Sequence, residues 1–253
     1  MQDPWQSLKR FTEARIALGR VGSSLPTAEV LAFGMAHAMA RDAVHLALDT
    51  DRLMEQLRAQ GLASVCVTSQ VHDRATYLLR PDYGRKLSDT SRFDLQQYQQ
   101  GPIDFLMVVG DGLSALAIEH HAAPLIAEIQ QQLPAHWSLG PIVIATQARV
   151  ALGDPIAEVL KAKMVAILIG ERPGLSSPDS LGIYLTYQPH AGCSDADRNC
   201  ISNIRPQGLS YAAAAKKLIW LAQAAMRIGA SGVVLKDESD TREIAVNNYH
   251  NLL

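Results

Sequence analysis

Few short motifs in this chain could do chemistry unaided, and the most suggestive is Gly110-Asp111-Gly112-Leu113-Ser114-Ala115. It fits G-x-G-x-x-A and falls between an apolar run and a helical segment, the setting a dinucleotide-binding turn requires. The next predicted strand ends in Thr146-Gln147-Ala148-Arg149, which offers no carboxylate to a ribose 2′-hydroxyl, although Arg149 suits a 2′-phosphate. A hydride-transfer enzyme also needs a catalytic pair. Tyr211 and Lys216 stand five residues apart where four would share a helical face, and Ala215 holds the useful position. The competing reading is a tight glycine turn that lets strand and helix pack closely.

Metal and nucleophile patterns are weaker. His120 and His121 are adjacent on a predicted helix and are expected to point apart, so they are not expected to chelate together. His190, Cys193 and Cys200 form at most a three-ligand soft set in an irregular loop, and neither H-E-x-x-H nor a paired C-x-x-C occurs. A G-x-S-x-G elbow and a phosphate-cradling G-x-x-x-x-G-K-[ST] are also absent. The chain therefore lacks a self-contained catalytic kit, and no metal site is predicted.

The elements that must position any site change character near residue 100. Residues 1–97 read as mostly helical. Thr27 is placed to cap a helix carrying Leu31, Met35, Ala38 and Met39, and Thr50 to cap one carrying Leu53 and Leu57 and stopped by Gly61. A short strand is predicted at 63–68, and turn residues with positive charge at Arg80 to Lys86. From residue 98 to the end, strand and helix periods alternate, which predicts an α/β unit with a mainly parallel sheet. Strands are expected at 103–109, 141–146, 164–169 and 181–187, with a last one at 232–235. Helices are expected from Ser114 to Leu133, after an Asp154 cap with Pro155 in the first turn, and from Ser210 to Ile228, closed by Gly229. The tail after Lys236 is polar and reads as partly loose. Open parallel sheets bind ligands at the carboxyl ends of their strands, so the loops at Gly110–Gly112, Arg149–Val150 and Gly170–Gly174 mark the functional edge.

Composition narrows the partners. The 253 residues are 48% hydrophobic and 19% charged with a formal charge of −2, which gives no electrostatic case for nucleic acid or for an anionic membrane. No stretch approaches the roughly 18–20 apolar residues of a membrane span, and Met1-Gln2-Asp3-Pro4 lacks the opening of a secretory signal. Three cysteines, Cys66, Cys193 and Cys200, argue against a disulfide framework. An intracellular protein is expected.

Six ordered blocks carry a resemblance. They are Gly19 to Thr27 (GRVGSSLPT), Ala40 to Val44 (ARDAV), Arg80 to Arg85 (RPDYGR), Val109 to Ala115 (VGDGLSA), Gly170 to Leu175 (GERPGL) and Asp197 to Ile204 (DRNCISNI). Together they resemble the small (light) subunit of ethanolamine ammonia-lyase over residues 19–235. The resemblance implies a helical N-terminal part followed by a Rossmann-like, cobalamin-binding domain. It further implies base-on adenosylcobalamin held between this chain and a separate large subunit, with the substrate site for ethanolamine in that partner. Its cofactor contacts fall on Val150, Glu171 and Cys200. No catalytic side chain is assigned to this chain, which is expected to be inactive alone. Agreeing with base-on binding, none of the eight histidines lies in Asp-x-His-x-x-Gly. The apolar stripe Trp5, Leu8 and Phe11 would serve oligomer contact, packaging into a bacterial microcompartment, or simple docking of a helix, which leaves localisation between free cytoplasm and microcompartment.

Overall fold

The structure, a computed structural model, describes residues 4–99 and 101–240. From residue 241 onward the predicted polar tail lies outside the described residues, as do Met1 to Asp3. Six strands form one mixed sheet: β1 (Ser64–Thr68), β2 (Ile103–Gly110), β3 (Ile142–Thr146), β4 (Ala162–Gly170), β5 (Leu181–Tyr187) and β6 (Arg198–Ile204), in the order β1-β3-β2-β4-β5-β6. The first four are mutually parallel, whereas β5 runs antiparallel to both β4 and β6. β1 comes from the helix-rich first 97 residues, so the sheet draws strands from both sides of the change in texture.

The central strands are apolar on both faces because helices cover both. Phe105, Met107 and Val109 of β2 face a layer built with α2 (Thr50–Ala59), α5 (Ala115–Gln132) and α7 (Tyr211–Ile228). Leu106 and Val108 face the opposite layer, formed with α4 (Asp89–Gln96) and α6 (Gly153–Leu160). This alternation is the two-residue period of a strand expressed as two separate cores. α3 (Arg74–Leu79) lies between β1 and α4 in sequence. α1 (Thr27–His45) is different: Val30, Leu31, Phe33, Met35 and Met39 are all exposed, and Ala43 is its buried residue.

Several local expectations are corrected. Pro26, not Thr27, occupies the N-cap of α1, and Asp49, not Thr50, caps α2 by accepting from the Arg52 N–H at 3.0 Å. Asp154 is inside α6, which continues from a 3-10 turn at Val150–Leu152, and its carboxylate turns to Arg198 instead of capping. Gly232–Val234 is a 3-10 turn, not a strand. Its Gly232 has φ +75°, and the Asn199 side chain bonds both its N–H and its C=O, which uses the groups a sheet ladder would need. In its place the sixth strand is β6, within a segment read from sequence as an irregular loop. The N-terminal stripe forms a 3-10 helix, Pro4–Phe11, with Trp5, Leu8 and Phe11 exposed. Among the described residues no helix is long and apolar enough to cross a membrane.

Candidate functional site

The glycine turn after β2 packs tightly against the end of β4. Gly112 has φ +57°, and a Cβ there would lie 2.2 Å from the Gly170 carbonyl oxygen; a Cβ on Gly170 would lie 2.0 Å from the Ser114 carbonyl oxygen. Leu113 N–H donates to Gly170 C=O at 2.9 Å, and Ser114 caps α5 through the Ala117 N–H. Asp111 is buried and accepts from the N–H groups of Gln147 and Ala148 at 2.9 and 2.8 Å, with Arg74 Nη1 at 3.3 Å. Burial pushes its carboxyl above the ordinary range, against the pull of those donors. The whole motif thus ties β2, β3 and β4 together at their carboxyl ends, which is the packing role of the two considered from sequence.

Beside this turn opens a cleft of about 410 Å³ lined by Tyr77, Leu113, Arg149, Val150, Glu171 and Tyr184, among others. Val150 and Glu171, expected from the resemblance to meet a cofactor, therefore share one concavity at the carboxyl edge of the parallel strands. Arg149 N–H donates to the Gly84 carbonyl at 2.8 Å, so the Arg80-to-Arg85 block positions the turn that carries Val150. Buried Tyr77 donates its hydroxyl to Ala148 C=O at 2.8 Å, and the Arg74 and Arg149 guanidiniums stack on its ring at 4.5 and 4.2 Å. Desolvation raises the Tyr77 phenol further above its ordinary value. Arg149 Nε is buried without a hydrogen-bond partner among the described residues, while the residue itself lines the cleft.

Glu171 is held by the Ser180 hydroxyl and by Asn203 N–H at 3.2 Å, both on Oε2, while Oε1 accepts no bond among the described residues. No ion pair between Glu171 and its neighbour Arg172 forms among the described residues, and Glu171 is only partly buried. Gly182 leaves room for this carboxylate: a Cβ there would meet Glu171 Oε1 at 2.9 Å.

Cys200 is not in a loop. It lies exposed on β6, directly opposite Tyr184 of β5, and its thiol couples to the Tyr184 hydroxyl. Partial loss of hydration raises the thiol above its ordinary value, with a further push from Glu171 against the hydrogen bond from Tyr184. Tyr184 is raised too, mainly by burial and then by the bond to Cys200. Tyr184 therefore links Cys200 to the cleft that Val150 and Glu171 line. Sequence reasoning missed Tyr77 and Tyr184 as wall residues, whereas Arg149 lies in a loop that the strand-end rule had selected.

Two other hollows adjoin the sheet. One of about 590 Å³ sits at the opposite, amino end of the strands, where Leu62, Ala63, Ile103 and Gly140 make an apolar lining whose single phenol is Tyr98. The other, about 490 Å³, is basic, with Arg85, Lys86 and Arg92 around Asp154 and Cys193.

The expectation that His120 and His121 point apart is also corrected. Both rings turn to Asp179, which lies before β5, with His121 Nε2 at 3.2 Å and His120 Nδ1 at 3.5 Å from the same carboxylate oxygen. The 100° step between helical neighbours is spanned by their different ring nitrogens. His190 and Cys193 are within 3.4 Å of each other, but Cys200 joins neither in a three-ligand group among the described residues.

An α/β protein with a ligand-sized cleft where its parallel strands end is the class these features define. Comparison with known proteins narrows the class. The model of the ethanolamine ammonia-lyase light chain (EutC) family matches residues 2–236, and the chain belongs to that family. It is 55% identical over 243 residues to the ethanolamine ammonia-lyase small subunit of Ralstonia nicotianae, covering 94% of this chain and 90% of the relative. Similar proteins of the same name occur in Azotobacter vinelandii (53% over 247 residues; 96% and 92% covered) and Xanthomonas campestris (54% over 244 residues; 94% and 89% covered).

Proposed function

We propose that this chain supplies one wall of an adenosylcobalamin site in an enzyme that converts ethanolamine to acetaldehyde and ammonia, a carbon–nitrogen lyase whose large subunit holds the substrate. The observation carrying this reading is that Val150 and Glu171 share the cleft at the strand ends and Cys200 joins it through Tyr184. At about 410 Å³ the cleft is near the lower limit for enclosing a drug-sized ligand, so it suits one edge of a corrin and leaves the rest to another polypeptide.

The residues present fit such a group. Glu171 Oε1 is placed to accept N–H groups from the corrin's amide side chains, a charge-assisted bond worth about 1.5–3 kcal/mol. Arg149 lines the same wall and brings positive charge to it. Val150 gives apolar contact, and Cys200 a small polarizable surface. When bound base-on, the cofactor would supply radical chemistry through homolysis of its cobalt–carbon bond. This chain orients the ring edge and excludes water, and it contributes no catalytic side chain of its own. On this reading the corrin edge is met by the loops that follow β2, β3 and β4, in a Rossmann-like arrangement whose sheet is completed by β1 from the helix-rich first 97 residues.

The exposed apolar residues of α1 support a permanent partner, because a monomer seldom leaves so contiguous a face in water. The complex is assigned to the cytoplasm, free or inside a bacterial microcompartment. The deciding experiment co-expresses the chain with a candidate large subunit. A stable complex should release ammonia from ethanolamine only with adenosylcobalamin present, and turnover by this chain alone would refute the assignment.

A further inference from the structure

A second cluster of ionisable side chains lies outside the lining of that cleft. His120 and His121 of α5 and Asp179 each place one ligand atom so that all three lie within 4.8 Å of one another. Asp179 Oδ2 is 3.2 Å from His121 Nε2 and 3.5 Å from His120 Nδ1. A tetrahedral ion with metal–ligand bonds of about 2.0–2.2 Å separates its ligand atoms by about 3.3–3.6 Å, so both contacts match this spacing within about 0.1 Å before any side chain moves. The remaining edge, between the two rings, can be shortened by His120, whose side chain is 52% exposed and has room to rotate.

His121 has the support that a ligating histidine normally carries. It is buried, and its Nδ1 lies 2.7 Å from the Tyr211 hydroxyl of α7. Without metal, the ring proton sits on Nε2 and is donated to Asp179, while Nδ1 accepts the Tyr211 O–H. With an ion on Nε2, the ring's single proton moves to Nδ1 and the tyrosine oxygen accepts it. A hydroxyl does both, so the same outer contact holds either tautomer.

The geometry assigns His120, His121 and Asp179 as a three-ligand site for a borderline divalent transition-metal ion such as Zn²⁺, with Tyr211 as the positioning residue and the fourth position open to solvent. Two imidazoles and one carboxylate select this class over Mg²⁺ or Ca²⁺, which prefer oxygen. The site needs no corrin, so its failure and the failure of the cobalamin reading are separable.

The test is a titration of the full chain, in complex with its large subunit and stripped by a chelator, with Zn²⁺ against a chromophoric competitor, followed by Co²⁺ as a spectroscopic probe. One ion should bind per small subunit with a dissociation constant below about 10 μM. It should give the intense visible bands of four-coordinate Co²⁺. His120→Ala and Asp179→Asn alter partly exposed side chains, and each should weaken binding at least tenfold while helical circular dichroism is retained. Tyr211→Phe should weaken it by about tenfold, as loss of an outer-shell partner does. Absence of a small-subunit ion, or affinity unchanged in both His120→Ala and Asp179→Asn, would overturn the site and leave the cluster a hydrogen-bonded Asp–His–Tyr chain.

Discussion

Arg198 Nη1 and Nη2 grip the two carboxylate oxygens of Asp154 at 2.7 and 2.6 Å, and the pair is buried. Asp154 stands four residues after Val150 and Arg198 two residues before Cys200, so this ion pair fixes the Val150 turn and the strand carrying Cys200 relative to each other. Thr186 Oγ1 lies 2.9 Å from the same Nη1, and the Cys193 carbonyl accepts from Nη2 at 3.1 Å.

Removing one partner leaves the other charge buried. Asp154→Ala is expected to cost about 3–5 kcal/mol in denaturant unfolding, whereas Asp154→Leu with Arg198→Met should cost much less than the sum of the two single changes. Equal costs for the double variant and the summed singles would show that the two residues do not act as a pair.

Glu171→Gln keeps the shape of the side chain and removes the charge. Adenosylcobalamin affinity of the assembled enzyme should fall about tenfold, one hydrogen bond's worth, when followed by the absorbance change on binding. An unchanged dissociation constant would take Glu171 out of the site.

Gly170→Ala would drive a methyl group into the Ser114 carbonyl. A loss of about 2–3 kcal/mol or more is expected in thermal or urea unfolding, because backbone sits on both sides and cannot yield. The wild-type chain should show no saturable NADPH fluorescence change, since the turn is occupied by packing. Saturation at micromolar NADPH would revive the dinucleotide reading.

Asp104 accepts from Lys163 Nζ at 2.7 Å and from Ser138, and these bonds hold its carboxyl down to about 2. A depressed carboxylate stabilises the fold above its unfolded pKa of about 4, and that contribution disappears as pH falls through about 2. With the lysine half in water the effect is discounted to about 1 kcal/mol. Asp104→Asn should therefore be less stable at pH 7 and show a shallower loss between pH 4 and 2; parallel acid limbs would argue against the linkage.

Apolar runs made five strands legible in the sequence, because burial of the central strands on both faces demands continuous Val, Ile and Leu, and edge strand β1 still buries alternate residues. β6 was not legible. Its Arg198-Asn199-Cys200 start is polar, and the burial of Arg198 depends on a carboxylate 44 residues away. Gly232-Val233-Val234-Leu235 misled for the opposite reason, having strand-like composition but backbone groups already bonded to Asn199. Val150 and Glu171 came from family resemblance, and the strand-end rule independently selected their loops. Tyr184 and Tyr77 escaped notice because nothing local separates a cleft aromatic from a core one. The two histidines were misjudged because helical spacing was applied to their Cα positions and not to the reach of their rings.

The uncovered α1 has a consequence for how the chain is made. A nineteen-residue helix with Leu31, Phe33, Met35 and Met39 in water has a strong tendency to stick to another copy of itself. Any excess of free chain over its partner should therefore precipitate, and synthesis matched to that of the partner becomes a condition of keeping this chain in solution.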